Sequence, residues 1–346
     1  MCLVLVVGLV AACNSGADTN TSTNNNANNN ANNNANNNAN NNANNTNTGN
    51  TSSGLIKVGI INNPPEESGY RAANVSDMER VFRTEGAGIY ETTFFYNIAN
   101  DAQLNAARGM ITDNVDYLLI SAADTDGWDG VLRDAREAGI KVFLFDRMIN
   151  VPNDLYEAAV VSDMANQGDL AMSWLLAQNL PEYNVIHIQG QMGSDAQRGR
   201  TAAFDREVAA GRMNKVLQQT ASWDEVEAKN IVQSVINSGD PFNVIYAEND
   251  GMAAGAVAAL QENGIAHGVG GVIIIGVDAN KWALREVLAG NWNLNVQCSP
   301  FQAQVIHEMI QGTRPIPANK VLISEERYFE AGVITQADID RYGLGD

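Results

Sequence analysis

From Leu55 onward the chain alternates between short apolar blocks and longer amphipathic stretches. The blocks recur at 56–61, 91–96, 117–120, 142–145, 158–161, 185–188, 215–219, 244–246, 272–277 and 294–297. Several are unbroken runs of Val, Ile, Leu and Phe, the pattern of strands buried on both faces. The intervening stretches carry helical periodicity: in 131–138, Val131, Leu132 and Ala135 share one face and charged residues the other. Strand–helix alternation sustained in this way predicts an α/β protein with parallel sheets. A single large sheet is one solution, but two sheets of about five or six strands each match ordinary domain sizes better.

Ahead of this body the pattern stops. Residues 14–54 are almost entirely Asn, Thr, Ser, Ala and Gly, with Asn-Asn-Asn-Ala repeated between Asn24 and Ala43. Nothing there can bury apolar area to offset ordering entropy, so a disordered tether is expected. Leu3 to Val10 is an apolar run too short to span a bilayer as a mature helix. It closes on Ala11-Ala12-Cys13, the small-small-Cys ending of a bacterial lipoprotein signal. On that reading residues 1–13 are the signal, Cys13 carries the lipid, and a membrane holds the exported protein through that anchor alone. No basic residue precedes the run, so the natural start is expected upstream of Met1.

Charge and rare residues narrow the chemistry. The formal net charge is −19, which disfavours nucleic acid as a partner because phosphates need basic patches. The three histidines have no metal-ligand spacing, so a histidine metal site or a Ser/His triad is not expected. There is no phosphate-loop motif and no Gly-x-Ser-x-Gly elbow, and Gly268-Val-Gly-Gly271 precedes a strand instead of opening a helix. Carboxylates are plentiful, but nothing selects two of them as a glycosidase pair. Cys298 is alone in the body, with no basic neighbour in sequence, and reads as a small buried hydrophobe. No cofactor, metal or catalytic group is expected.

The polar signal lies at strand ends, where open α/β sheets bind ligands. Val142–Phe145 runs into Asp146-Arg147, Ile120 into Ser-Ala-Ala-Asp-Thr-Asp-Gly-Trp, Ile188 into Gln-Gly-Gln-Met-Gly-Ser-Asp, Tyr246 into Ala-Glu-Asn-Asp-Gly-Met, and Val277 into Asp278. Asp250 is expected to cap the helix that follows it. Asp146-Arg147 offers acceptors beside forked donors, which suits a polyhydroxyl ligand; an ion pair closing a loop is the alternative.

These clusters carry a resemblance. Glu-Ser-Gly-Tyr-Arg-Ala-Ala (67–73), Gly-Trp (127–128), Val-Phe-Leu-Phe-Asp-Arg (142–147), Gln-Gly-Gln-Met-Gly-Ser (189–194), Val-Ile-Tyr-Ala-Glu-Asn-Asp-Gly-Met (244–252) and Gly-Val-Asp (276–278) occur in order. From about Ile56 onward the chain resembles the type I periplasmic sugar-binding proteins of ABC transporters, and within them the galactofuranose-binding branch. The resemblance implies two Rossmann-like lobes with parallel sheets, joined by three crossings, with a sugar in the cleft. The first lobe would comprise 55–160 and 298–320, the second 161–297 and 321–335, with 336–346 as a C-terminal tail.

Carried over residue by residue, the sugar-binding positions fall on Glu67, Ser68, Gly69, Tyr70, Arg71, Asp146, Arg147, Arg200, Trp223, Asn249 and Asp278. Arg198 occupies the arginine position of the ribose-binding relatives, and Gln297 a polar position near the hinge. Two positions depart from the galactofuranose branch: Tyr70 stands where it usually carries Trp, and Gln297 where it carries an acid. The chemistry fits, since Asp, Asn and Arg can chelate pairs of hydroxyls while Tyr70 and Trp223 pack on a ring face. Rival roles remain: Asp278 as a helix cap, Arg200 in a surface ion pair, Trp223 as plain core, Trp128 as packing or cleft edge. The resemblance implies a non-enzymatic, monomeric receptor that delivers a monosaccharide, with a galactofuranose-like furanose favoured, to an ABC permease; the N-terminal signal adds the lipid anchor. A sensor feeding a membrane kinase is the alternative. A repressor is disfavoured because an export signal stands where a DNA-binding helix pair would be.

Overall fold

The computed structural model describes residues 54–345. The expected signal, Cys13 and the tether up to residue 53 lie outside the described residues. The first half runs β1 (Ile56–Asn62), α1 (Gly69–Glu79), β2 (Tyr90–Tyr96), α2 (Asn100–Thr112), β3 (Tyr117–Ile120), α3 (Asp129–Glu137), β4 (Lys141–Asp146) and β5 (Ala158–Val161). The second runs α4 (Met164–Ala177), β6 (Asn184–Gln189), α5 (Asp195–Ala209), β7 (Asn214–Thr220), α6 (Glu225–Ser238), β8 (Val244–Ala247), α7 (Asp250–Glu262), β9 (Ile273–Asp278), α8 (Lys281–Ala289) and β10 (Leu294–Gln297). The chain then adds α9 (Ala303–Ile310), β11 (Val321–Ile323), β12 (Tyr328–Glu330) and α10 (Gln336–Tyr342). All ten expected strands are present, with boundaries shifted by a residue or so.

Two six-stranded sheets result, in the orders β11-β5-β4-β3-β1-β2 and β12-β10-β9-β8-β6-β7. Every pairing in the first sheet is parallel, and in the second only β12 runs antiparallel, against β10. Setting aside the last edge strand, both sheets repeat one order, which reverses between β1 and β3 and between β6 and β8. Such reversals open crevices at strand carboxyl ends. The burial agrees with the pattern in the chain: Val131, Leu132 and Ala135 of α3 are wholly buried, and so is Trp128, whose Nε1 donates to the Asp124 carbonyl at 3.1 Å. Trp128 is therefore packing.

Two boundaries need correction. Residues 321–323, expected in the second lobe, pair with β5 (Val321 opposite Ala159) and complete the first sheet. Three apolar residues are too few to declare a sheet by periodicity; here they cover an open strand edge. Of residues 336–346, expected as a tail, Gln336–Tyr342 form α10, opened by a Thr335–Asp338 capping box, and Ile339 and Leu344 are buried against the second lobe. The chain thus crosses between sheets near 162–163, 298–302 and 324–327. Among the described residues no helix is long and apolar enough to cross a membrane.

Candidate functional site

The carboxyl ends of both sheets face a common space of about 290 Å³, part of it open to solvent. Glu67, Ser68, Tyr70, Asp146 and Arg147 line it from the first lobe, and Arg200, Trp223, Asn249 and Asp278 from the second.

The first wall is built around Asp146. Strand β4 ends with this residue at φ 65°, a left-handed conformation uncommon for a residue other than glycine. Tyr70 Oη donates to Oδ1 and Ser121 Oγ to Oδ2, each at 2.7 Å, and Arg71 Nη2 lies 2.8 Å from Oδ2. Burial alone would raise the Asp146 pKa; Arg71, Arg147 and the two hydroxyls outweigh it and bring it down to about 2. Arg71 is itself fully buried, reaching Glu67 at 3.1 Å and Asn62 at 2.7 Å, and does not line the space. This corrects its expected role: the guanidinium supports the wall from behind.

Three neighbours have contacts that the motif did not indicate, and one of them, Gly69, lies away from the space. The Tyr70 hydroxyl is committed to Asp146, so this side chain is more than a ring platform. Ser68 caps α1, accepting from Arg71 N at 3.1 Å. Gly69 lies outside the central space, against the second lobe: a Cβ there would come within 2.2 Å of Asn280 Oδ1. Arg147, by contrast, faces the space on long contacts only. Its Nε makes no hydrogen bond among the described residues and lies 3.5 Å from Asp146 Oδ2, Nη1 donates to the Ala122 carbonyl at 3.4 Å, and Glu67 is 3.7 Å from Nη2.

The second wall rests on Arg200, 3 % exposed on α5. Its Nε donates to Gln167 Oε1 at 2.8 Å, Nη1 donates to the Glu248 carbonyl, and Nη2 lies 3.8 Å from Asp278 Oδ1. Arg198, the other candidate, is half exposed at the rim and pairs with Asp126 of the first lobe at 2.9 Å. Trp223 follows β7 in a left-handed turn (Ser222 φ 51°, Trp223 φ 71°) that lays its ring over Gly190. A Cβ at Gly190 would fall 1.8 Å from that ring, so only glycine leaves room for it. The guanidinium carbons of Arg147 and Arg200 each lie 5.9 Å from the indole centre. Trp223 Nε1 has no hydrogen bond among the described residues.

Asn249, not Asp250, caps α7: its Oδ1 accepts from Met252 N at 2.8 Å, leaving Nδ2 without a protein bond among the described residues. Asp250 instead lies under β9, accepting from Asn280 N at 2.8 Å and Asn280 Nδ2 at 2.9 Å. Burial raises its pKa, up to about 7, against the opposing effect of those bonds. Asp278, at φ 121°, does not cap α8, and its carboxylate accepts no hydrogen bond among the described residues. Burial pushes its pKa well up despite Arg200. Gln297 pairs in register with Asp278, with its buried Oε1 unbonded, and does not line the space.

Sequence reasoning missed Met164, Ala196 and Cys298 as lining residues. Apolar and small side chains carry no signal distinguishing a cleft from a core. Burial pushes the Cys298 thiol up to about 12, so it is an inert wall group. Across the rim the lobes touch directly: Met148 N donates to Asp195 Oδ2 at 2.9 Å and Thr125 N to the Gly193 carbonyl at 3.2 Å. The arrangement is a closed cleft rich in polar groups, some of them unpaired. Among the described residues no cluster of His, Cys, Asp and Glu could hold a metal ion.

Residues 58–311 match the periplasmic binding protein domain. The chain is 28 % identical over 303 residues to the fructose import binding protein FruE of Bifidobacterium longum, covering 84 % of this chain and 89 % of the relative. It is 29 % identical over 245 residues to the galactofuranose-binding protein YtfQ of Escherichia coli, covering 68 % and 76 %. A Mycobacterium smegmatis structure in complex with β-D-fucofuranose superposes with a TM-score of 0.74 at 25 % identity, covering 83 % of this chain and 93 % of that one.

Proposed function

The chain belongs to the periplasmic binding protein family, whose members are extracytoplasmic solute-binding receptors and not enzymes, and from that premise we propose that it captures a monosaccharide, preferably a furanose, between its lobes and hands it to an ABC import permease. The supporting observation is the set of buried polar groups around the space that make no hydrogen bond among the described residues: Arg147 Nε, Trp223 Nε1 and the Asp278 carboxylate, the two charged ones having only ion-pair contacts at 3.5 Å and 3.8 Å. An unpaired buried polar group costs about 1–3 kcal/mol, and sugar hydroxyls, being donors and acceptors at once, supply all the missing partners. Arg147 and Arg200 chelate hydroxyls from opposite sides, Asn249 donates through Nδ2, Asp278 accepts, and Trp223 packs on the C–H face of the ring. Glu67, Ser68, Tyr70 and Asp146 complete the wall. The furanose preference rests on the galactofuranose and fucofuranose named for two of the relatives.

Binding favours the closed form, which docks on the permease as a monomer. Cys13 is the lipid attachment point; loss of radiolabelled palmitate incorporation in Cys13→Ser tests that. The function itself is tested by thermal shift against pentoses and hexoses in both ring forms. A ligand at a hundred times its Kd should add about 2.7 kcal/mol, and absence of any shift would sink the sugar reading. Arg147→Ala should abolish the shift while the protein stays folded.

A further inference from the structure

The direction of Arg200 is set outside the cavity. Its Nε donates to Gln167 Oε1 at 2.8 Å, and Gln167 Nε2 donates to Glu326 Oε1 at 2.7 Å. Gln167 is wholly buried on α4, while Glu326 lies in the third crossing between the sheets. An amide has one accepting end and one donating end. A carboxylate at Glu326 therefore decides which end Gln167 turns toward the guanidinium; a flipped amide would set donor against donor. The other crossings meet at the same place. Ser162 of the first lies against the Glu326 carboxyl, and Cys298 Sγ of the second is 3.6 Å from Ser162 Oγ.

Building on the receptor reading, we propose that Gln167 and Glu326 are positioning residues that aim Arg200 at the ligand and make that aim depend on how the three crossings are packed. None of these contacts is a strand pairing within either sheet, and neither Gln167 nor Glu326 lines the cavity.

Two measurements test this. In ligand-free protein, NMR follows hydrogen exchange at Arg200 Nε–H, which should be protected and should speed up about tenfold or more in Gln167→Leu and in Glu326→Lys, where an ammonium that can only donate turns the Gln167 oxygen away from Arg200. Calorimetry with D-fructose, D-ribose and methyl β-D-galactofuranoside then measures affinity. For a probe the unaltered protein binds, Glu326→Lys should weaken binding about tenfold. The combined Gln167→Glu, Glu326→Lys protein should recover to within about threefold, because a carboxylate at 167 accepts from Arg200 and from the ammonium at 326. A merely structural role would not produce that recovery. Unchanged exchange in Glu326→Lys, or no recovery in the combined variant, overturns the proposal. If the unaltered protein binds none of the probes, the receptor reading fails instead, and the exchange measurement still decides whether Glu326 sets Arg200.

Discussion

Asp146 and Asp278 occupy the same place in two copies of one topology. Each ends the strand two places from the reversal in its sheet, β4 in the first and β9 in the second, and each has positive φ. Their surroundings differ. Tyr70, Ser121 and Arg71 all lie within 2.8 Å of the Asp146 carboxylate, whereas the closest cation to Asp278 is Arg200 at 3.8 Å. One carboxylate is fully committed to its own lobe; the other is buried with its acceptor capacity unspent. The fold supplies two equivalent positions, and neighbouring side chains make one an anchor and the other a group that a ligand can complete.

The sharpest way to break this contrast is Asp146→Ala, which strands Arg71 without its carboxylate. Removing one partner of a buried pair costs about 3–5 kcal/mol; a urea unfolding difference under 1 kcal/mol would defeat the anchor assignment. Asp278→Asn should do the reverse, lowering monosaccharide affinity about a hundredfold with unfolding free energy unchanged or higher. Titration should separate the two as well. The Asp146 pKa is lowered from 3.8, so its stabilisation is present above that pH and disappears as pH falls through about 2. The pKa values of Asp250 and Asp278 are raised, so their contribution is complete below pH 3.8 and lost as pH rises, through about 7 for Asp250. Melting temperature should therefore decline between pH 4 and 7 less steeply in Asp250→Asn than in the unaltered protein. The smallest effect belongs to the rim: Arg198→Ala removes an exposed pair with Asp126 and should change stability by about 0–1 kcal/mol, with affinity nearly unchanged. A large loss of affinity there would return Arg198 to the binding set.

Strands β1 to β10 were legible because continuous apolar runs with helical stretches between them admit few other folds. Strands β11 and β12 were not, since Val-Leu-Ile and Tyr-Phe-Glu are too short to carry a period, and the third crossing was misplaced with them. Among the residues lining the space, Arg147, Asn249 and Asp278 were legible from strand-end positions and motif order, and Arg200 and Trp223 only through the family resemblance. What the sequence could not convey was direction. Tyr70 and Arg71 are neighbours in the first turn of α1, yet one faces the cleft and the other is sealed behind it. The Asn249–Asp250 cap was misassigned by one residue because either side chain can cap a helix.

Three crossings are an odd number, so β1 and α10 ride on different lobes. A pair of dyes on Leu55 and Arg341, both away from the cleft, would therefore act as a built-in gauge of the hinge. A pair on Leu55 and Gln311 would stay within one lobe and read nothing. The short third passage, which is hard to see in the sequence, is what turns this body into an optical reporter of its own closure.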